Sequence, residues 1–237
     1  ILSNSNPRPE ETDGGSLVTA RPSVRNLQNV LYYLSGEVGR EDCVVLYTTG
    51  HGDRRRGQSV LCLNDGLVYE KDLVRSLKAI QPATMAVVMD QCFSGGFAEA
   101  FDQANLNVLA MTDTDSQHET YCEYFAAAFW FGLLEPAADI DSDGRISFPE
   151  SYEVAMEIHR LALADTPERT RGQFLAADED LVPAVSVVDN RLVWAPEAVE
   201  AAEPLPDETI IEASVRAPKM RLGPTWTERY RPSRHER

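Results

Sequence analysis

Met85-Ala86-Val87-Val88-Met89-Asp90-Gln91-Cys92-Phe93-Ser94-Gly95-Gly96 reads as an apolar strand buried on both faces, with a cysteine at its C-terminal end. Upstream, Cys43 to Thr49 is a second apolar, β-branched run, and it ends on Gly50-His51-Gly52. In an open parallel sheet the carboxyl ends of neighbouring strands converge on one crevice, so residues far apart in sequence meet there. The two runs therefore predict an α/β fold that brings Cys92 and His51 together.

Working outward, Ser23 can cap a helix carrying Val24, Leu27, Val30, Leu31 and Leu34 at helical spacing, with a stop at Gly36. The charged run Asp53-Arg54-Arg55-Arg56-Gly57 reads as a loop, Ser59 to Leu63 as a strand and Leu67 to Ile80 as a helix. Phe97 to Gln103 is expected to be a short helix and Asn107 to Thr112 a fourth strand. Alternating strands and helices predict crossovers and a mostly parallel sheet with helices on both faces. Farther on, Glu119 to Leu134 and Phe148 to Ala164 read as helices, and Ala184 to Val188 with Arg191 to Trp194 as a hairpin turning at Asp189-Asn190. The expected organisation is a globular domain over 1–180 that includes a helix–loop–helix at 119–164, then a hairpin at 181–194. Residues 195–237, Pro- and Glu-rich and then basic at Arg229, Arg231, Arg234 and Arg237, are expected to form an extended tail, and residues 1–20 a loop.

Composition narrows the function. The 237 residues are 43% hydrophobic and carry a net charge of −16, which argues against nucleic acid as a partner because phosphate binding needs a cationic surface. The longest apolar stretch, Phe125 to Leu134, is about half of what a bilayer crossing needs, so no membrane association is expected. Cys43, Cys62, Cys92 and Cys122 have no CxxC spacing and indicate no disulfide framework, which favours a reducing, cytoplasmic location.

A thiol is only partly ionised at neutral pH, and an adjacent imidazole can take its proton during attack on a carbonyl. Glycines beside both groups let backbone amides approach the same carbonyl. The amides of Gly52 and Cys92 are the candidate oxyanion donors, a contribution of roughly 3–4 kcal/mol per donor.

In these two motifs, strand–His-Gly and strand–Asp-x-Cys-x-Ser-Gly, the chain resembles the caspase-like cysteine peptidases, the group of caspases, metacaspases, clostripain-type enzymes and legumains. The resemblance spans about residues 22–180. It implies that His51 is the general base, Cys92 the nucleophile and Gly52 an oxyanion donor, acting on a peptide or protein substrate through an acyl-enzyme. It also places Asp90 near the pocket for the residue before the scissile bond, where a carboxylate favours Arg or Lys, with Asp113 and Asp115 as further candidates. Against that stand two alternatives, that Asp90 is a hydrogen-bonding strand-end residue and that the pocket prefers Asn or Asp. The family's sheet normally begins with a strand, a helix and a second strand, whereas only Ile1-Leu2-Ser3 precedes the loop here, so an N-terminal segment is expected to be missing or cleaved.

Asp139-Ile140-Asp141-Ser142-Asp143-Gly144-Arg145-Ile146-Ser147-Phe148-Pro149-Glu150 follows the twelve-residue EF-hand pattern. Asp139, Asp141 and Asp143 would each supply a carboxylate oxygen, Arg145 its backbone carbonyl, Ser147 a water-bridged contact and Glu150 a bidentate carboxylate. Ca²⁺ suits this set better than Mg²⁺, which demands tighter octahedral geometry. A structural ion and a regulatory one are both compatible with the loop. The runner-up function is a catalytically inactive, calcium-dependent interaction module. A serine hydrolase lacks the required Gly-x-Ser-x-Gly elbow, and His118, His159 and His235 read as residues outside the site.

Overall fold

The computed structural model describes residues 20–82, 84–120, 123–162, 172, 174–176, 183–188 and 191–196. The expected tail beyond 196, the loop at 1–19 and the hairpin turn at Asp189-Asn190 lie outside them. Among the described residues no helix is long and apolar enough to cross a membrane.

The chain divides into two compact units. The first is α/β. Helix α1 (Val24–Glu37) is capped by Ser23, whose hydroxyl accepts from the Asn26 amide at 3.0 Å. Its main sheet contains β1 (Cys43–Thr49), β5 (Thr84–Asp90), β6 (Leu109–Thr112) and β8 (Phe174–Ala176), in the order β1-β5-β6-β8. The first three strands run parallel and β8 is antiparallel to β6. Between β1 and β5 the chain forms β2 (Gly52–Arg55), β3 (Gln58–Leu63), β4 (Gly66–Tyr69) and α2 (Glu70–Leu77), and α3 (Gly95–Gln103) joins β5 to β6. The sheet is apolar because it is covered: Met85, Val87, Met89 and Ala110 pack in one cluster with Leu27 and Leu31 of α1, Leu73 and Leu77 of α2, and Phe97 and Phe101 of α3. Each such side chain contributes about 1.5–3 kcal/mol by leaving water.

Two expectations in this unit are corrected. The charged run after His51 is not a loop: β2, β3 and β4 make a separate antiparallel ribbon. Arg56 and Gly57 both take positive φ, 53° and 79°, which gives the tight two-residue turn that suits twisted strands. Helix does not begin at Leu67 either. Gly66–Tyr69 pairs with Val60–Leu63, and the helix starts at Glu70 with Glu70 and Asp72 in its first turn. Alternation that buries Val68 and leaves Leu67 exposed outweighs the helical spacing seen in sequence.

The second unit contains α4 (Glu123–Gly132), β7 (Ile146–Ser147), α5 (Phe148–Ala162), β9 (Pro183–Val188) and β10 (Arg191–Pro196), with a short 3₁₀ turn at Pro136–Ala138. Phe125 and Phe129, stacked on each other within α4, meet Phe148, Tyr152 and His159 of α5 in edge-on ring contacts. The expected hairpin pairs as β9 with β10, and β9 also pairs antiparallel with β7. Helix α4 begins later than the expected Glu119. Glu119 and Thr120 are irregular chain instead.

Candidate active site

Register brings the two motifs together. Each β1 residue pairs with the β5 residue 41 positions later, from Cys43↔Thr84 to Thr49↔Asp90. The same offset of 41 separates His51 from Cys92 in sequence. One further ladder bond, from the Gly50 amide to the Asp90 carbonyl at 3.2 Å, extends the pairing past the end of β1. Gly52 then passes so close to the segment after β5 that a methyl group on its Cα would overlap the Cys92 carbonyl oxygen. Only glycine fits there. His51 is exposed, Cys92 half-buried, and the antiparallel register of β2 with β3 sets Cys62 directly across from His51, whose carbonyl accepts from the Cys62 amide at 2.9 Å.

Cys92 is held by a segment that sequence reasoning assigned to a helix. The Thr120 amide donates to Sγ at 3.4 Å, and the thiol donates to the Thr120 carbonyl at 3.5 Å. Burial pushes the Cys92 thiol above its ordinary value, against the Thr120 hydrogen bond, with Glu119 and Asp113 adding to the rise. The resting sulfur is thus a thiol that needs a base. Phe93, next in the chain, has φ 60°, a conformation that is costly for a bulky residue, and its amide donates to the His118 carbonyl at 2.9 Å. Gly95 and Gly96 serve packing: the space a side chain would fill is occupied by the Asp115 backbone at Gly95 and by Ser59 at Gly96.

The three candidate pocket acids sit differently. Asp90 is 1% exposed, and its Oδ2 accepts from Thr49 Oγ1 at 3.1 Å and from the Tyr47 hydroxyl at 3.5 Å. Asp113 is fully buried, and its Oδ1 accepts from Ser94 Oγ at 2.8 Å. Burial first, and then the neighbouring Asp113 charge, hold Asp90 far above the usual carboxylate range, and burial raises Asp113 as well. Asp115 is turned away to His118, with Nδ1 2.7 Å from its Oδ1. Thr49, Tyr47, Ser94 and Thr120 carried no sequence signal, because hydroxyl groups near strand ends are common and only pairing gives them partners.

Residues 32–148 match the Peptidase C13 family. The C13 match takes in His51, Cys92 and the three candidate pocket acids, and it supports the caspase-like fold group. The chain is a cysteine-type peptidase with that α/β fold. No curated protein is significantly similar to it. Among solved structures, a crystal structure of a Geobacter sulfurreducens protein aligns at 13% identity with a TM-score of 0.44, covering 72% of this chain and 89% of that one.

In the second unit, the loop entered from the 3₁₀ turn gathers Asp139, Asp141 and Asp143, whose ligand oxygens lie within 4.8 Å of one another. Ser142 and Gly144 take φ 64° and 85°, which wraps the backbone around these oxygens. The Asp143 amide donates to Asp139 Oδ1 at 3.0 Å and the Arg145 amide to Asp143 Oδ1 at 2.7 Å. Glu150 reaches back across the loop: Oε1 accepts from the Ile140 amide at 2.8 Å, and Oε2 from the Ser147 amide at 2.7 Å. Burial works to raise Glu150, but these hydrogen bonds outweigh it and keep the carboxyl below the usual range.

Proposed function

We propose that the chain is an endopeptidase in which His51 and Cys92 form the catalytic dyad, with a preference for Arg or Lys before the scissile bond and a calcium ion in the 139–150 loop. The shared register of the strands leading to His51 and Cys92 supports the dyad most directly. As a peptide carbonyl approaches Sγ, the imidazole takes the thiol proton and sulfur adds to the carbonyl carbon. The backbone amides of Gly52 and Cys92 then receive the oxyanion. His51 returns the proton to the departing amine, which leaves an acyl-enzyme, and water activated by the same imidazole releases the acid.

The basic preference rests on Asp90, an acid two residues before the nucleophile with a buried oxygen, Oδ1, that lacks a donor. The calcium reading rests on the fit of the donor set: clustered hard oxygens with aligned carboxylates, which suit a large divalent cation with oxygen ligands. There Asp139, Asp141, Asp143, the Arg145 carbonyl and Glu150 would hold the ion, which would neutralise their mutual repulsion.

A thiol-directed probe tests the dyad. Labelling should vanish in Cys92→Ala and fall strongly in His51→Ala; labelling that ignores both changes returns the inactive interaction module to first place. A positional-scanning peptide library tests the pocket, and best turnover of Asn or Asp peptides would refute the basic preference.

A further inference from the structure

Among the described residues of the first unit, two buried carboxyl oxygens lack a donor in the hydrogen bonds formed, Asp90 Oδ1 and Asp113 Oδ2, and the two carboxyls that carry them interact directly. Leaving both unsatisfied would carry a desolvation penalty for each. A single proton carried by one carboxyl and accepted by the other satisfies both. The groups facing the pair are Tyr47 and Thr49 from β1, Ser94 ahead of α3, and Thr120 from the loop after β6. All are neutral donors. Cys92 is the adjoining titratable thiol, and it feels the Asp113 charge.

We infer that Asp90 and Asp113 hold one proton between them at neutral pH, and that a cationic substrate side chain binds by displacing it, so selectivity for a basic residue grows with pH. This rests on the reading of Asp90 as the pocket acid, and it makes Asp113 a second specificity-determining residue. The exchange balances: one guanidinium or ammonium enters and one proton leaves to solvent. Burial holds both carboxyls above the usual range, so the proton is present near neutrality to be displaced. Thr120 binds both the sulfur and Asp113. The thiol must leave Thr120 to attack, so the contact that restrains the sulfur is shared with the pair.

Two peptides differing only in arginine or its neutral isostere citrulline before the scissile bond provide the test on the full chain. The ratio of their kcat/KM values cancels the titration of Cys92 and His51, which both peptides share. It should rise by up to about tenfold per pH unit through the neutral range and level off at alkaline pH. Asp113→Asn should keep a preference for arginine through Asp90 and move the rise to lower pH, because Asp90 loses its charged partner while its burial remains. A wild-type ratio well above one that does not change with pH overturns the inference, as does a rise that stays at the same pH in Asp113→Asn. A ratio near one at every pH instead refutes the basic pocket itself. Should Asp113→Asn not fold, binding of the arginine peptide to Cys92→Ala in weak buffer should release about one proton near pH 7; release of none overturns the inference.

Discussion

Thr120 grips the Cys92 sulfur from both sides of its own peptide unit, the amide donating at 3.4 Å and the carbonyl accepting at 3.5 Å. The residue that restrains this sulfur comes from the loop after β6, on the far side of β5 from β1, the strand that precedes His51. Burial at this position keeps the resting sulfur protonated.

Alkylation of Cys92 by iodoacetamide in the free protein should therefore be slow at pH 7 and climb about tenfold per pH unit to a plateau above the ordinary thiol value. Mass spectrometry of the modified peptide follows it. A plateau below pH 7 would mean a preformed thiolate–imidazolium pair.

Gly52→Ala should abolish peptidase turnover and destabilise the fold by about 1–3 kcal/mol, since its methyl overlaps the Cys92 carbonyl and the strand ends must separate. Urea unfolding and active-site labelling measure the two effects. Near-normal labelling would show that the His51 and Cys92 segments are not in close contact.

The Asp90–Asp113 pair should make stability fall as pH rises. Both carboxyls titrate higher in the folded chain than in the unfolded one, so the folded state binds more protons and loses its advantage from pH 4 upward, until the raised value of about 8 for Asp90 is passed. Asp113→Asn should flatten the decline in melting temperature between pH 5 and pH 8. An unchanged profile would place the pair's titration at ordinary values.

Calcium should raise the melting temperature of the full chain and EDTA should reverse it. At a hundredfold excess over the dissociation constant the gain is about 2.7 kcal/mol. Asp139→Asn with Asp141→Asn should lose the response while leaving thiol labelling by the active-site probe in place. A calcium-independent melt in wild type contradicts the loop assignment.

The α/β class, the strand at 84–90, the cap at Ser23 and the order of His51 and Cys92 were legible along the chain, because apolar runs, caps and turn glycines act within a few residues. The ribbon of β2, β3 and β4 was not. Charged Asp53, Arg54 and Arg55 look like loop until their cross-strand partners Val60, Ser59 and Gln58 are known. Thr120 was read as helical for the same reason: apolar spacing after it is helical, and nothing local reports a sulfur 28 residues earlier in sequence.

What the linear chain determined by itself is which chemical groups exist and which local elements carry them, since propensity, capping and periodicity are short-range. Tertiary structure alone decided that the strands leading to His51 and Cys92 pair in one register, that Asp115 turns to His118, and that Asp90 and Asp113 lie together out of water. Those outcomes depend on strand pairing and burial, which join residues by distance in space, and it is the dry surroundings created there that reset how acids and thiols hold their protons.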